Sequence, residues 1–134
     1  MRSEIITALQ AQVLTPFRVS TELPFQGGGQ PLYLKNLRTI YIDVEDVSQD
    51  PGPMPQTLQG QTSVIETRTV VGYVAHDAKT LPANFAATQV MLIEIIDDLA
   101  LAPRVRRTAQ STHEYQDDVL VFTFQWSTQE VKIK

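Results

Sequence analysis

The strongest constraint on the fold is an alternating apolar run near the end of the chain. Large apolar side chains occupy every second position there, at Leu120, Phe122, Phe124 and Trp126. Because successive side chains of a β-strand point to opposite faces, this two-residue period predicts a strand with one buried face. A buried strand face needs neighbouring strands and a second layer packed on it. The sequence therefore predicts a sheet covered on one side.

Two earlier segments carry the same period and predict two more strands. They are Leu32 to Val47 and Thr62 to His76. The segment between them, Ser48 to Gln61, contains three prolines and two glycines, which predicts a long loop. A weaker, more polar alternation from Arg104 to Tyr115 is typical of a strand at a sheet edge. We therefore expect two hairpins.

Helical spacing appears in two places. Apolar residues recur at offsets of three and four in Arg2 to Leu14, and at offsets of seven, four and three in Asn84 to Leu101. The main apolar stripe of the second segment comprises Phe85, Leu92, Ile96 and Leu99. The predicted order is α-β-β-α-β-β. This order favours an α+β fold with a mostly antiparallel sheet and both helices packed on one face.

Length and composition limit the class of protein. A chain of 134 residues is the size of one domain, so we expect a single domain over residues 1–134. The net charge of -4 disfavours sequence-specific binding to nucleic acid. The chain has no cysteine, which excludes disulfides and thiolate ligands. We expect no membrane-spanning helix and no signal peptide.

The sequence offers little material for catalysis. Its two histidines each precede a carboxylate, as His76 with Asp77 and His113 with Glu114. Adjacent residues of a strand point to opposite faces, so neither pair can bind one metal ion. No nucleophile with a neighbouring base can be assembled. We therefore expect no enzymatic activity, no cofactor and no metal site.

The second predicted helix and the basic cluster after it suggest a contact between subunits. Val90 and Met91 lie away from the core stripe of the helix, where a monomer would place polar residues. Acidic and basic residues nearby could pair across such a contact, or could simply face solvent. The hypothetical interface residues are Val90, Met91, Glu94, Asp98, Arg104, Arg106 and Arg107.

Four segments of the chain resemble one family. They are the N-terminal helix, LPFQGGGQPLYLKN from Leu23, RTIYIDVED from Arg38 and VLVFTFQW from Val119. Together they resemble the tail terminator, or tail completion, proteins of long-tailed bacteriophages of the siphovirus type. The resemblance covers nearly the whole chain. It implies a non-enzymatic virion protein that forms a homohexameric ring, caps the tail tube, stops its polymerisation and provides the surface that joins head to tail.

The resemblance also implies partners and a location. The partners would be copies of the chain, the major tail tube protein, a head-completion or connector protein and the tape measure protein. DNA would pass through the lumen without sequence-specific binding, and no membrane would be involved. The protein would act in the neck of the virion and in the host cytoplasm during assembly. The loop would contact the tail tube through Asp50, Met54, Gln56 and Leu58.

Two alternative functions remain open at the level of sequence. A small α+β domain could bind a metabolite or a metal near His76 and His113 and regulate a larger enzyme. Another head-tail connector or adaptor would show the same general features. A specific binder would gain thermal stability with ligand concentration, which would separate the regulatory domain from a structural protein.

Overall fold

A computed structural model shows three helices and six strands. It describes residues 1–12, 17–26, 29–52, 60, 62–77, 85–110 and 119–133, and only the backbone of residues 85–88, 109 and 110. In chain order the elements are α1 (Arg2–Gln10), β1 (Arg18–Val19), α2 (Leu32–Lys35), β2 (Thr39–Ile42), β3 (Asp46–Pro51), β4 (Ser63–Asp77), α3 (Phe85–Asp97), β5 (Arg106–Gln110) and β6 (Val119–Ile133).

The six strands form one mostly antiparallel sheet, as predicted. Their order is β1-β2-β4-β6-β5, and β3 follows β2 along the same edge of β4. The centre is the pair β4 and β6, which are 15 residues each and pair over their whole length. The short β1 is parallel to β2. The polar strand β5 lies at an edge, which confirms that prediction.

One face of the sheet carries the core. The alternating side chains of β6 are all 2% exposed or less, which confirms the strand predicted from their spacing. Helices α1 and α3 both contribute to this core, so the expected α+β arrangement with two helices on one face is confirmed. The core residues that these helices contribute are Ile5, Ile6, Ala8, Leu9, Leu92 and Ile96, and the buried Leu99 follows α3.

The opposite face is partly covered by α2 and its flanking loop. Tyr33 stacks on Tyr73 with ring centroids 5.1 Å apart, and Phe25 packs edge-on against both rings. The Asn36 Nδ2 donates a hydrogen bond of 2.8 Å to the Tyr41 hydroxyl, and Tyr41 is 2% exposed. Burial raises the pKa of the Tyr73 hydroxyl. These aromatic contacts fix α2 on the sheet.

The prediction of one strand from Leu32 to Val47 is therefore wrong. Helix α2 occupies its start, and Arg38 adopts a left-handed φ of 63° in the turn before β2. After Ile42 the chain leaves the ladder, where the Asp43 carboxylate accepts a hydrogen bond from the Val44 N–H. Such a local side-chain contact competes with strand pairing. Val44 is 56% exposed, although alternation placed it with the buried residues.

The predicted loop from Ser48 to Gln61 is also shorter than expected. Its first residues belong to β3, which runs to Pro51 along β4. All six residues of β3 are exposed, so the strand leaves no apolar period in the sequence. Residues 53–59 and 61 lie outside the described residues.

Both long helices end earlier than the segments predicted from the sequence. Helix α1 ends at Gln10, four residues before Leu14, and α3 ends at Asp97.

Gly72 allows the close packing of β4 against Trp126. A Cβ atom at position 72 would lie 3.0 Å from Ile42 Cδ1 and 3.0 Å from Trp126 Cζ3. Both neighbours are completely buried, so neither can move without displacing the core. We expect Gly72→Ala to lower the free energy of unfolding by about 1 to 3 kcal/mol, measured by urea denaturation.

A double-mutant cycle tests the cause of this loss. Trp126→Phe removes part of the ring that a Cβ at position 72 would meet. The cost of Gly72→Ala should therefore be smaller in the Trp126→Phe background than in the wild type. Equal costs in the two backgrounds would show that contact with Trp126 is not the reason.

Candidate assembly interface

The three strands β3, β4 and β6 continue beyond the core as a ribbon. We call this part the distal ribbon and define it as Asp46–Pro51, Ser63–Thr69 and Ser127–Ile133. The apolar residues of β4 and β6 that face the helices end at Val70 and Trp126. Beyond them the same face carries charged and polar residues. The register continues without a break through both regions.

A network of charges crosses the helix-side face of the distal ribbon. Glu66 of β4 lies at its centre and is only 6% exposed. Its carboxylate accepts hydrogen bonds from Lys132 Nζ at 3.1 Å and from Arg68 Nε at 2.9 Å. The Gln49 amide donates a third bond at 3.3 Å. These contacts join all three strands, so the register is fixed by charge where the apolar core has ended.

The same network extends to the bend between β2 and β3. Arg68 Nη1 donates to Glu45 Oε1 at 3.0 Å while its Nε contacts Glu66. One guanidinium therefore joins the carboxylate of Glu66 in β4 to that of Glu45 in the bend before β3. Because Arg68 is 45% exposed at its side chain, solvent screens this contact, and its main effect is to orient the strands.

The Glu66 carboxylate stays ionised far into acid. The hydrogen bond from Lys132, followed by the one from Arg68, lowers the pKa of Glu66 from 4.5 to about 2. Partial burial acts in the opposite direction and is outweighed. The network is therefore intact at neutral pH.

The other face of the distal ribbon carries exposed apolar residues among polar ones. Val131 is 50% exposed and Ile133 is 62% exposed. Val131 lies directly opposite the partly buried Ile65 of β4. On the helix-side face, Val47 of β3 is 49% exposed. Thus three of the six large apolar residues that are exposed in the described ranges belong to the distal ribbon. Apolar surface concentrated in this way is typical of a binding surface.

Both long edges of the distal ribbon are open. Strand β3 pairs with β4 alone in the part of the chain that the structure describes. On the other side, β5 pairs with β6 only as far as Ser127, so Thr128 to Ile133 have no strand beside them within the described ranges. Open edges expose backbone N–H and C=O groups that can pair with another chain.

The predicted interface residues do not form one cluster. Val90 is 54% exposed on α3, and Glu94 and Asp98 are also exposed. Met91 is partly buried and packs against the core. Arg104 and Arg106 are exposed, whereas Arg107 is partly buried. Whether these residues contact a second subunit stays a prediction.

Arg107 has a role within the chain. Its guanidinium donates hydrogen bonds to the carbonyl oxygens of Asp97 and Leu99, the latter at 2.6 Å. Asp97 is the last residue of α3, where backbone acceptors lack helical partners, and Leu99 follows the helix, where its carbonyl also accepts a hydrogen bond from the Leu101 N–H. The Nε of Arg107 is buried and has no partner among the described residues. Arg107 therefore ties the edge strand β5 to the end of α3, which the sequence analysis missed.

Strand alternation separates Arg106 from Arg107. Arg106 lies beside Ser127, on the face that carries Val131, and Arg107 lies beside Trp126, on the helix-side face. From the sequence alone both arginines had the same interpretation, because their positions relative to β6 were unknown. The register alone would have distinguished them.

The remaining predicted residues fall in two groups. Asp50 is exposed on β3, while Met54, Gln56, Leu58 and His113 lie outside the described residues. His76 is partly buried, with its ring 6.0 Å from that of Phe17 and its Nδ1 3.0 Å from the Asp77 carbonyl oxygen. Within the described ranges, no group of three or more potential metal ligands occurs.

We expect the charge network to make the free energy of unfolding depend on pH in the acid range. Since the pKa of Glu66 is about 2 in the folded chain, below its ordinary 4.5, the network's contribution is complete above pH 4.5 and is lost as the pH falls toward 2. Glu66→Gln should remove this contribution. The urea midpoint of the variant should lie below that of the wild type at neutral pH, and the two should converge toward pH 2.

Glu94→Gln is the matched control, because it neutralises an exposed carboxylate that has no ion pair within the described ranges. Its midpoint should follow the wild type throughout. A constant difference between wild type and Glu66→Gln across this pH range would contradict the assigned pKa.

Arg107→Gln should destabilise the fold, because it removes hydrogen bonds to partly buried carbonyls at the end of α3. We expect a loss of about 1 to 3 kcal/mol in the free energy of unfolding, measured with urea. The neighbouring Arg106→Gln removes the same charge from an exposed site and should change stability by less than about 0.5 kcal/mol. Similar losses for both variants would contradict the role assigned to Arg107.

No family model, curated protein or solved structure matches this chain. Within the described ranges, each helix is too short or too polar to cross a lipid bilayer.

Proposed function

We propose that this protein is a structural protein that assembles into a ring, and that the ring acts as a phage tail terminator. The observation that carries the proposal is the distal ribbon, which among the described residues has two different open edges on opposite sides of one sheet. A ring needs a head-to-tail contact between two different surfaces of the same subunit. The ribbon offers such a pair of surfaces.

The exposed apolar residues support assembly as the purpose of these surfaces. Val131 and Ile133 would lose contact with water when a neighbouring subunit or the tail tube packs against the ribbon. Val90 on α3, with Glu94 and Asp98 beside it, would form a second contact between subunits. The number of subunits, six, is the number that the family resemblance implies.

The mechanism of termination would depend on surface geometry. One face of the ring would bind the last ring of the tail tube, and the other would not accept another tube subunit. That second face would receive the head-completion or connector protein. The net charge of -4 supports a lumen through which DNA passes without adhering.

The connection between β3 and β4 provides the proposed contact with the tail tube. It leaves the ribbon at its tip, where the Gly52 N–H donates to the Ser63 carbonyl oxygen at 2.9 Å. Asp50, just before the tip, and Met54, Gln56 and Leu58 of the connection would meet the tube protein. Binding there would leave the two long edges available for neighbouring subunits.

The first test is the mass of the purified protein by light scattering across concentration, with negative-stain images of large species. We expect closed rings. When the protein is added to growing tubes of the tail tube protein from the same virus, tube lengthening should stop. A strict monomer that has no effect on tube length would contradict the proposal.

A pair of variants tests the part played by the ribbon. The double substitution Val131→Ser with Ile133→Ser should raise the concentration for half-assembly about tenfold, because less apolar surface is removed from water. Val44→Ser changes an equally exposed valine outside the ribbon and should leave assembly unchanged. Equal effects of the two changes would argue against the ribbon as the interface.

A further inference from the structure

We propose that β3 of one copy pairs with the open edge of β6 in the next copy, so that the sheet continues from subunit to subunit. The partner is a second copy of this chain, and the surface is the edge from Thr128 to Ile133. The inference rests on the proposed ring-forming function and names the contact that would close the ring.

The lengths of the two edges agree. Strand β3 has six residues, and the open edge of β6 also comprises the six residues from Thr128 to Ile133. Strand β5 covers the edge of β6 only from Thr123 to Ser127. An added β3 would therefore continue the line of β5 along β6, as β3 continues the line of β2 along β4 within one copy.

A groove on the helix-side face reaches the start of this edge. It has a volume of about 450 Å³, and its lining includes Thr128, Gln129 and Glu130 of β6 together with Arg68 of β4 and Glu45. Met1, Glu4, Ala102, Arg104 and Val105 complete the lining. Within the described residues, no strand pairs with Thr128 to Ile133 on this side, so a strand added here would meet unpaired backbone groups of β6.

The direction of pairing follows from the sheet. Strands β3 and β6 are both antiparallel to β4, so both run toward the tip of the distal ribbon. A head-to-tail contact that keeps this direction makes the incoming β3 parallel to β6. Its first residue, Asp46, then lies beside Gln129, just beyond the start of β5, because Arg106 already lies beside Ser127.

Charge distinguishes the two edges. Asp46, Thr69, Ser127 and Arg106 form one row across four strands. The row begins with a carboxylate at one edge and ends with a guanidinium at the other. An incoming Asp46 beside Gln129 lies on the same face as Arg106 and two residues along β6 from its row, so the opposite charges are near each other and favour this pairing and its orientation.

The residues around the two edges add to this difference in charge between the β3 edge and the β6 edge. The 29 residues from Thr39 to Thr67 contain no lysine or arginine, and Asp43, Glu45, Asp46 and Asp50 lie in or beside β3. The edge of β6 is flanked by Arg104 and Arg106 and carries Lys132, with Glu130 as its one carboxylate. Two β3 edges facing each other would bring aspartates together, which is unfavourable. Two β6 edges could pair Glu130 with Lys132, so that contact is the main competitor.

Cysteine cross-linking tests the proposed pairing directly. Ser48 of β3 and Val131 of β6 are exposed and lie on the same face. Because Arg106 already lies beside Ser127, Asp46 of the incoming copy lies beside Gln129, and Ser48 then lies beside Val131. Within one copy Ser48 is two strand spacings from Gln129, about 9.6 Å, and Val131 lies two residues further along β6. That separation exceeds the roughly 7 Å limit for a disulfide between Cα atoms.

The protein for this test is the full chain with Ser48→Cys and Val131→Cys, which has no other cysteine. After mild oxidation, a non-reducing gel should show a ladder of covalent multimers that ends at the number of subunits in the ring. Asp50→Cys with Ile133→Cys forms the next such row and provides a second pair. It should give the same ladder.

Three control variants define the geometry. Ser48→Cys alone and Val131→Cys alone should give no ladder, since each places only one thiol at each contact. Val47→Cys with Val131→Cys places the thiols on opposite faces of the sheet, and its ladder should be at least tenfold weaker. Thermal unfolding of each reduced variant should match the wild type, because the substituted side chains are exposed.

Each other outcome has a defined meaning. Rings seen by light scattering without a ladder from either cysteine pair would overturn the strand pairing and leave the proposed ring-forming function standing. Efficient dimers from Val131→Cys alone would also overturn it, because they indicate two β6 edges in contact. A strict monomer in all samples would overturn both the pairing and the ring.

Discussion

The structure depends on the pairing of β4 with β6 over 15 residues. One half of this pair holds the apolar core, and the other half forms the distal ribbon. Since side chains alternate between faces, a slip of one residue would turn Trp126 away from the helices and separate Glu66 from Lys132. The buried core and the charge network therefore select the same register by different physical means. Each reinforces the other along the same two strands.

Much of the fold could be predicted because its buried parts leave periodic signals. The β6 stripe and the apolar faces of α1 and α3 all follow from the spacing of large apolar residues. Strand β3 left no such signal, since its side chains are exposed and its position is fixed by β4. Helix α2 was missed for a related reason. It has only four residues, and aromatic contacts with Tyr73 hold it on the sheet.

The candidate interface was less accessible to sequence reasoning. The partners in its charge network are distant in the chain: the residue numbers of Glu66 and Lys132 differ by 66. Nothing in the local sequence relates them until the register of β4 and β6 is known. The same limitation applied to the two adjacent arginines, whose different surroundings depend on which residue of β6 each one faces. Val90 on α3 could be recognised earlier, because a helix displays its exposed face through spacing alone.

The continuity of β4 and β6 also has a mechanical consequence. No loop or hinge interrupts either strand between the distal ribbon and the core in the described structure. A force applied to the ribbon along the strand direction would load many interstrand hydrogen bonds in shear rather than opening them one at a time. The subunit would then transmit tension from its ribbon to its helices as one stiff body.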